Sequence, residues 1–234
     1  MLPISQQEEI QKYFDYFSVK FSKIEIGKKP TPEFVAQYEH TFPEYLFYIW
    51  NKFGFASFEN GGFWLVNPVD YENILELCLK DTDFTQHDDF YVIARTAFGK
   101  LLVTSKETDS NLTIDIINMR IFPSINENRN FSEEDHMSSF LSTILIKGKK
   151  ESIDAYDKNS KLLFDRCLTN LGELKENEIY AFEPPAVLGG PQVIENMKKV
   201  DLFQYIPFVA KLDKFQVMLD ISKEVDRLGI KPNH

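Results

Sequence analysis

The chain has 234 residues, which is enough for one large domain or two small ones. Hydrophobic residues make up 43% of it and aromatic residues 14%, so a packed core is expected and global disorder is excluded. The 26 Lys and Arg residues against 36 Asp and Glu residues give a net charge of −10. This charge argues against the nucleic-acid backbone as the main partner, because phosphate binding relies on basic side chains. It is compatible with a basic protein partner, and equally with solubility alone.

The two cysteines, Cys78 and Cys167, lie in apolar helical patterns without a CxxC spacing or a neighbouring histidine. This context predicts reduced, buried thiols rather than a disulfide or a zinc site. The N-terminal residues lack a basic start followed by an apolar run, and the apolar stretches are too short to span a bilayer. We therefore expect a cytoplasmic protein without a signal peptide, a membrane partner or a cofactor.

The N-terminal part is predicted to be helical. Ser5 with Glu8 is typical of a capping box, and Thr31 followed by Pro32 is typical of a helix start. A third helix is predicted to begin at Pro43 and to end at Gly54, where a left-handed residue is favoured.

Strands are predicted to follow. Asn60-Gly61-Gly62 indicates a hairpin between 55–58 and 63–66, and Asn67-Pro68 indicates the start of another helix. Apolar runs predict a meander of three or four strands, which are listed as 90–95, 101–104 and 113–117. Arg95 lies among apolar residues at a strand end, so we expect it to need a carboxylate or backbone carbonyls as its partner.

The C-terminal half is predicted to be mainly helical. Ser132 with Asp135 indicates a capped helix, and further helical patterns cover 162–168, 194–200 and 215–228, with one strand at 179–182. The fold class that follows is α/β, with a mixed, mostly antiparallel sheet flanked by helices and a helix-rich C-terminal part.

Motifs for catalysis are sparse. The sequence contains neither a Gly-x-Ser-x-Gly elbow nor a phosphate-binding glycine loop. His87-Asp88-Asp89 is its only His–carboxylate cluster, and it leaves open a metal-dependent hydrolase as one alternative. Trp64 leaves open another, a regulatory module in which this ring and neighbouring aromatics line a small-molecule pocket.

Several ordered motifs resemble a known family. The run Phe63-Trp64-Leu65-Val66-Asn67-Pro68 followed by Tyr71, and the run Ala94-Arg95-Thr96-Ala97-Phe98-Gly99, resemble the GAD-like domain. Downstream, Tyr180-Ala181-Phe182-Glu183-Pro184 and Leu188-Gly189-Gly190 are similar to the C-terminal domain that accompanies it. The pair resembles immunity proteins that protect bacteria from type VI secretion effectors, notably toxic DNases. A weaker likeness, carried by the Pro43 helix and Asn60-Gly61-Gly62, is to the SUKH immunity superfamily.

The resemblance implies a GAD-like domain at 1–148 and an immunity C-terminal domain at 149–213 packed with it as one unit. Outside the resemblance, the helical spacing of apolar residues predicts a C-terminal amphipathic helix at 214–234. The absence of nucleophile–base and phosphate-loop motifs predicts a protein without catalytic activity. The resemblance implies that it binds and neutralises a cognate effector, and we expect a one-to-one complex that occludes the effector's active site. The net charge suggests that this partner is basic and that acidic side chains recognise it. The candidate interface residues are Asp81, Asp83, Asp88, Asp89, Glu133, Glu134 and Asp135.

Overall fold

The computed structural model describes residues 2–20, 24–86, 90–106, 108, 110–125, 132–147 and 150–219. In these residues the chain forms eight α-helices and ten strands, with four short 3-10 helices. Eight of the strands build one sheet, in which every neighbouring pair except the last is antiparallel. The predicted class, a mixed and mostly antiparallel α/β fold, is confirmed.

Three helices come first: α1 (Ile4–Lys20), α2 (Pro32–Tyr38) and α3 (Glu44–Phe53). The start of α2 is confirmed, since the Thr31 hydroxyl accepts a hydrogen bond from the Phe34 amide at 3.2 Å. Helix α3 follows Pro43 and ends at Gly54, whose φ of 66° lies in the region that favours glycine. Ser5 lies within the first turn of α1 rather than before it.

The central sheet has the strand order β1-β2-β3-β4-β5-β6-β7-β10, where β10 is Gln216–Val217. Its first seven strands are β1 (Ile24–Glu25), β2 (Ser57–Phe58), β3 (Phe63–Leu65), β4 (Phe90–Thr96), β5 (Lys100–Ser105), β6 (Asn111–Asp115) and β7 (Arg120–Ser124). The hairpin at Asn60-Gly61-Gly62 is confirmed, because Ser57 pairs with Trp64 and Phe58 with Phe63. Between β3 and β4 lie a 3-10 helix (Pro68–Tyr71), α4 (Glu72–Leu79) and a second 3-10 helix (Asp83–Gln86).

The rest of the described chain adds helices and a hairpin to this sheet. In order these are α5 (Glu133–Lys147), α6 (Lys150–Ile153), α7 (Phe164–Leu171), β8 (Glu178–Phe182), β9 (Met197–Asp201) and α8 (Leu202–Val209), with 3-10 helices at Ala186–Leu188 and Ile194–Asn196. Strands β8 and β9 form a separate antiparallel pair.

The predicted helix through Ile194, Met197 and Val200 is wrong, because Met197–Asp201 is strand β9. Pairing with β8 places Met197 opposite Phe182 and buries it, so cross-strand packing overrides the helical spacing. The helix begins afterwards, where the Asp201 carboxylate accepts a hydrogen bond from the Gln204 amide at 3.0 Å.

The predicted C-terminal helix is wrong at Gln216–Val217, which forms strand β10. The Gln216 and Met218 amides donate to the carbonyls of Met119 and Ile121 at 2.9 and 2.8 Å, so β10 pairs in parallel with the edge strand β7. Without β10, the carbonyls at the edge of β7 would have no strand partner. The spacing of apolar residues in the tail does not reveal that this edge is available. The remainder of the predicted helix, at 220–234, lies outside the described residues.

Three apolar cores hold these layers together. The first lies between one sheet face and helices α1, α3 and α5. The second lies between the opposite face and helices α4 and α8, with strand β8. The third surrounds Phe98, helix α7 and the β8–β9 hairpin. The second and third cores both combine residues from the N-terminal and C-terminal halves.

Candidate functional site

The first acidic cluster predicted from the sequence follows helix α4. Asp83 is exposed at the start of the 3-10 helix Asp83–Gln86. The Asp81 carboxylate lies 3.3 Å from Lys214 Nζ, in an ion pair whose lysine is largely exposed. His87, Asp88 and Asp89 lie outside the described residues. Asp83 is therefore an accessible anion, whereas Asp81 already has a cationic partner.

The second acidic cluster forms the start of α5. Asp135 Oδ2 accepts hydrogen bonds from the Ser132 amide at 3.0 Å and from the Ser132 hydroxyl at 2.6 Å, which lowers the pKa of Asp135. The Asp135 amide in turn donates to Ser132 Oγ, which completes the predicted capping box. Glu134 is exposed, and the side chain of Glu133 lies outside the described residues. Asp135 thus has a structural role whatever else it contacts.

A groove lies at the end of the sheet where β4 begins and β5 ends. One half has a volume of about 310 Å³ and lies between the start of α3, these strands and α5. The other half, of about 190 Å³, lies between the same strands and α4. Phe42, Tyr91 and Lys106 line both halves, so the two halves of the groove adjoin. We call it the strand-end groove.

The lining of the strand-end groove includes one lysine, two histidines and one glutamate. Lys106, His40 and His136 line the first half, and Lys106 Nζ lies 6.0 Å from the centre of the Phe42 ring. Five exposed acidic residues line the groove or lie close in the chain to residues that line it or pack against its lining, and we call them the acidic rim: Glu39, Glu72, Asp83, Glu134 and Asp135.

Each member of the acidic rim is related to the groove either by a contact or by its position in the chain near a residue that lines the groove or packs against its lining. Glu72 lines the groove directly, and Glu39 lies 3.7 Å from His40 Nε2. Asp83 precedes Phe84, whose ring packs edge-on against the groove residue Phe90 at 6.1 Å. Glu134 and Asp135 precede the groove residue His136. Asp83, Glu134 and Asp135 thus lie close in the chain to residues that line the groove or pack against its lining, while Lys106 and the aromatic residues that line the groove with it were not predicted.

Trp64 belongs to a different cluster, around Arg95. The Arg95 guanidinium is fully buried and lies 4.7 Å from the centre of the Trp64 ring. It donates to the Glu176 carbonyl at 2.5 Å and is hydrogen-bonded to the Tyr71 side chain. Of the two kinds of partner expected for Arg95, a carboxylate or backbone carbonyls, the structure shows backbone carbonyls, and the bond to Glu176 ties the C-terminal half to the central sheet.

Burial shifts the pKa values of Arg95 and Tyr71 in this cluster. Desolvation lowers the pKa of Arg95 and raises that of Tyr71, while their mutual interaction opposes both shifts. Trp64 Nε1 donates to the Gly61 carbonyl at 2.9 Å. The face of the ring therefore contacts Arg95, and its N–H already has a hydrogen-bond acceptor. The cleft beside it has a volume of about 20 Å³, which is enough for one water molecule.

The described residues offer little metal or nucleophile chemistry. They hold no group of three or more His, Cys, Asp or Glu side chains positioned for a metal ion. Both cysteines are buried and free, as predicted, and burial raises the pKa of each thiol to about 12. A thiolate nucleophile is therefore disfavoured at neutral pH. No helix in the described ranges is long and apolar enough to cross a bilayer.

Comparison with known families identifies both parts of the chain. The GAD-like domain matches residues 12–118, and the T6SS immunity protein Tdi1, C-terminal, matches residues 127–213. This is the predicted order of domains. The chain belongs to the type VI secretion immunity protein family.

A solved structure shares the fold of this immunity protein. The crystal structure of Atu4351 from Agrobacterium tumefaciens superposes with a TM-score of 0.74, covering 87% of this chain and 91% of that one at 24% sequence identity. At this identity the likeness shows the fold. No curated protein matches the immunity protein significantly. The weaker likeness to the SUKH superfamily stays a prediction.

Proposed function

We propose that this immunity protein binds and neutralises a cognate secreted antibacterial effector, and that it acts by binding rather than by catalysis. The observation that carries the proposal is the match to the T6SS immunity protein Tdi1 C-terminal domain, which follows a GAD-like domain in the same chain.

The proposed effector is a DNase whose active site is occluded in the complex. A DNase has to present a basic surface to the phosphate backbone of its substrate. The net charge of −10 and the exposed carboxylates of the acidic rim are complementary to such a surface. Complementary charge accelerates the encounter of two proteins and disfavours partners of like charge. We therefore propose that Asp83, Glu134 and Asp135 contribute to recognition.

The site of action is proposed to be the cytoplasm. A DNase effector harms a bacterium only where it reaches DNA, so an inhibitor that acts by binding must meet it in that compartment. The acidic surface would also keep the immunity protein itself away from nucleic acid. We propose a tight one-to-one complex with the effector as the only partner needed for protection.

The alternative of a small-molecule module gains no support at Trp64. The cleft beside this ring has about 20 Å³, whereas ligand pockets usually have about 300–1,000 Å³. Arg95 covers the ring, and the indole N–H is already bonded. The hydrolase alternative rests on residues 87–89, which lie outside the described part of the chain.

A protection experiment tests the proposed function. The effector encoded next to this gene is expressed from an inducible promoter in cells with and without the immunity protein, beside an effector whose catalytic residue has been replaced. We expect the active effector to degrade DNA and to kill only the cells that lack the immunity protein. If those cells survive the active effector as well as cells that carry the immunity protein, the proposed function is wrong.

A further inference from the structure

We propose that Lys106 is the central contact with the effector, and that its ammonium enters the cluster of metal-binding carboxylates in a nuclease active site. The inference rests on the proposed function, because it presupposes an effector that is a metal-dependent nuclease. It goes beyond that proposal by assigning the strand-end groove as the surface that faces the catalytic centre.

The position of Lys106 suits such a contact. It follows strand β5 directly, is exposed, and lines both halves of the strand-end groove. Its ammonium lies 6.0 Å from the centre of the Phe42 ring, which is itself buried and packs edge-on against Tyr91 at 5.2 Å. A lysine stem that rests on fixed aromatic rings loses less conformational freedom on binding than one that extends into water.

The charges around Lys106 form a pattern of opposite signs. Lys106 lines both halves of the groove, Glu72 lines one half, and Glu39 lies 3.7 Å from the lining residue His40. The other members of the acidic rim lie close in the chain to residues that line the groove or pack against its lining. In a protein of net charge −10, a lysine among these carboxylates is a local reversal of sign. A partner that matches it needs negative charge opposite Lys106 and positive charge opposite the carboxylates.

A metal-dependent nuclease active site has this arrangement. Its divalent ions are held by carboxylates at the base of the cleft, and the surrounding walls are basic because they bind phosphate. A wholly acidic inhibitor would place carboxylates against the catalytic carboxylates, and such like-charge contacts are unfavourable. Lys106 at the centre avoids this repulsion and takes the place of a metal ion's charge, while the acidic rim faces the basic walls.

The first test compares two lysine reversals with opposite expected effects. Affinity and association rate are measured between the full-length immunity protein and the purified, metal-free effector. Lys198→Glu, at an exposed lysine on β9, is the matched control, because it changes the net charge equally. More negative charge should slightly accelerate association with a basic effector, so the control is expected to bind as tightly as wild type or tighter. Lys106→Glu is expected to weaken binding by at least about thirtyfold.

The second test uses metal as a competitor. Because a metal ion and the Lys106 ammonium would compete for the same carboxylates, saturating Mg²⁺ or Mn²⁺ is expected to weaken binding of the wild type. Lys106→Ala is expected to bind more weakly and to lose this dependence on metal. Circular dichroism of both Lys106 variants establishes that they are folded.

The outcomes separate this inference from the proposed function. If wild type binds tightly but Lys106→Glu behaves like Lys198→Glu, or if metal affects wild type and Lys106→Ala equally, the role of Lys106 is wrong and the proposed function stands. If wild type does not bind the effector at all, the proposed function fails as well.

Discussion

At the scale of single residues, Arg95 joins the two halves of the molecule. Its guanidinium is buried between Trp64, Tyr71 and the Glu176 carbonyl, and no carboxylate is among its hydrogen-bond partners in the described residues. The sequence predicted the need for a carboxylate or backbone carbonyls from the polarity of the site. It could not predict that Glu176 supplies the accepting carbonyl, because 81 positions separate the two residues.

Replacing Arg95 should therefore destabilise the whole fold. We expect Arg95→Ala to lower the free energy of unfolding by roughly 3 kcal/mol, because it leaves a cavity beside Trp64 and unpaired polar groups at Tyr71 and Glu176. Arg120→Ala, at an exposed arginine on β7, is the control and should change the free energy by less than about 0.5 kcal/mol. Urea unfolding measures both, and equal effects would contradict the proposed role of Arg95.

Asp157 provides a prediction about pH. Its carboxylate accepts hydrogen bonds from Arg166 at 2.6 Å and from the amides of Asn159 and Lys161 at 2.9 and 3.0 Å. The Arg166 hydrogen bond is the main reason that the pKa of Asp157 is lowered to about 2. Since the folded pKa lies below the unfolded value of about 3.9, its contribution to stability is present above about pH 4 and is lost as the pH falls towards 2.

The melting temperature between pH 7 and pH 2.5 measures this contribution. Asp157→Asn should melt below wild type at pH 7, and the difference should shrink as the pH falls below 4, because protonated Asp157 no longer favours the fold. Glu195→Gln, at an exposed carboxylate, should follow wild type throughout. A difference for Asp157→Asn that is the same at every pH would show that charge is not the cause.

At the scale of secondary-structure elements, several predictions that depend on local signals are confirmed, whereas two segments whose structure depends on tertiary pairing were assigned wrongly. Helix starts at Thr31 and Ser132 and the hairpin at Asn60-Gly61-Gly62 were predictable, because their hydrogen bonds join near neighbours in the chain. Strands β9 and β10 were assigned to helices, because their partners β8 and β7 are distant and only tertiary pairing reveals them.

The pairing of β10 with β7 predicts an alternation in proline tolerance. The Met218 amide donates to the Ile121 carbonyl, so Met218→Pro removes that hydrogen bond. We expect a loss of about 1 kcal/mol in the free energy of unfolding. Val217→Pro is the matched control and should cost less, because the described ladder bonds use the amides of Gln216 and Met218. If both variants lose stability equally, β10 does not pair as described.

At the scale of the whole molecule, the division into domains remains a proposal. The predicted boundary at 148 follows α5, whose Met137, Phe140 and Leu141 pack into the first core with α1. Ser138 Oγ also donates to Glu9 Oε1 at 3.1 Å. The match to the C-terminal family already begins at residue 127. We propose that α5 belongs physically to the N-terminal unit, and that the shared second and third cores make both halves fold together.

The net charge leads to a prediction about binding kinetics. The double variant Asp83→Lys/Glu134→Lys reverses two exposed members of the acidic rim and leaves the Ser132–Asp135 cap intact. Association with the effector should be roughly tenfold slower at low salt, with a weaker dependence on salt. The control, Glu195→Lys with Glu173→Lys, makes the same change in net charge on the C-terminal half. Equal rates for the two double variants would show that the acidic rim is not the contact surface.

Calorimetric titration of the two purified proteins, run beside a DNA-cleavage assay, tests whether this immunity protein inhibits its effector by direct binding. We predict a one-to-one complex, with DNA cleavage falling linearly to zero at the same equivalence point. Full DNA cleavage in the presence of excess immunity protein, or the absence of a heat of binding together with the absence of a complex on gel filtration, would contradict the account.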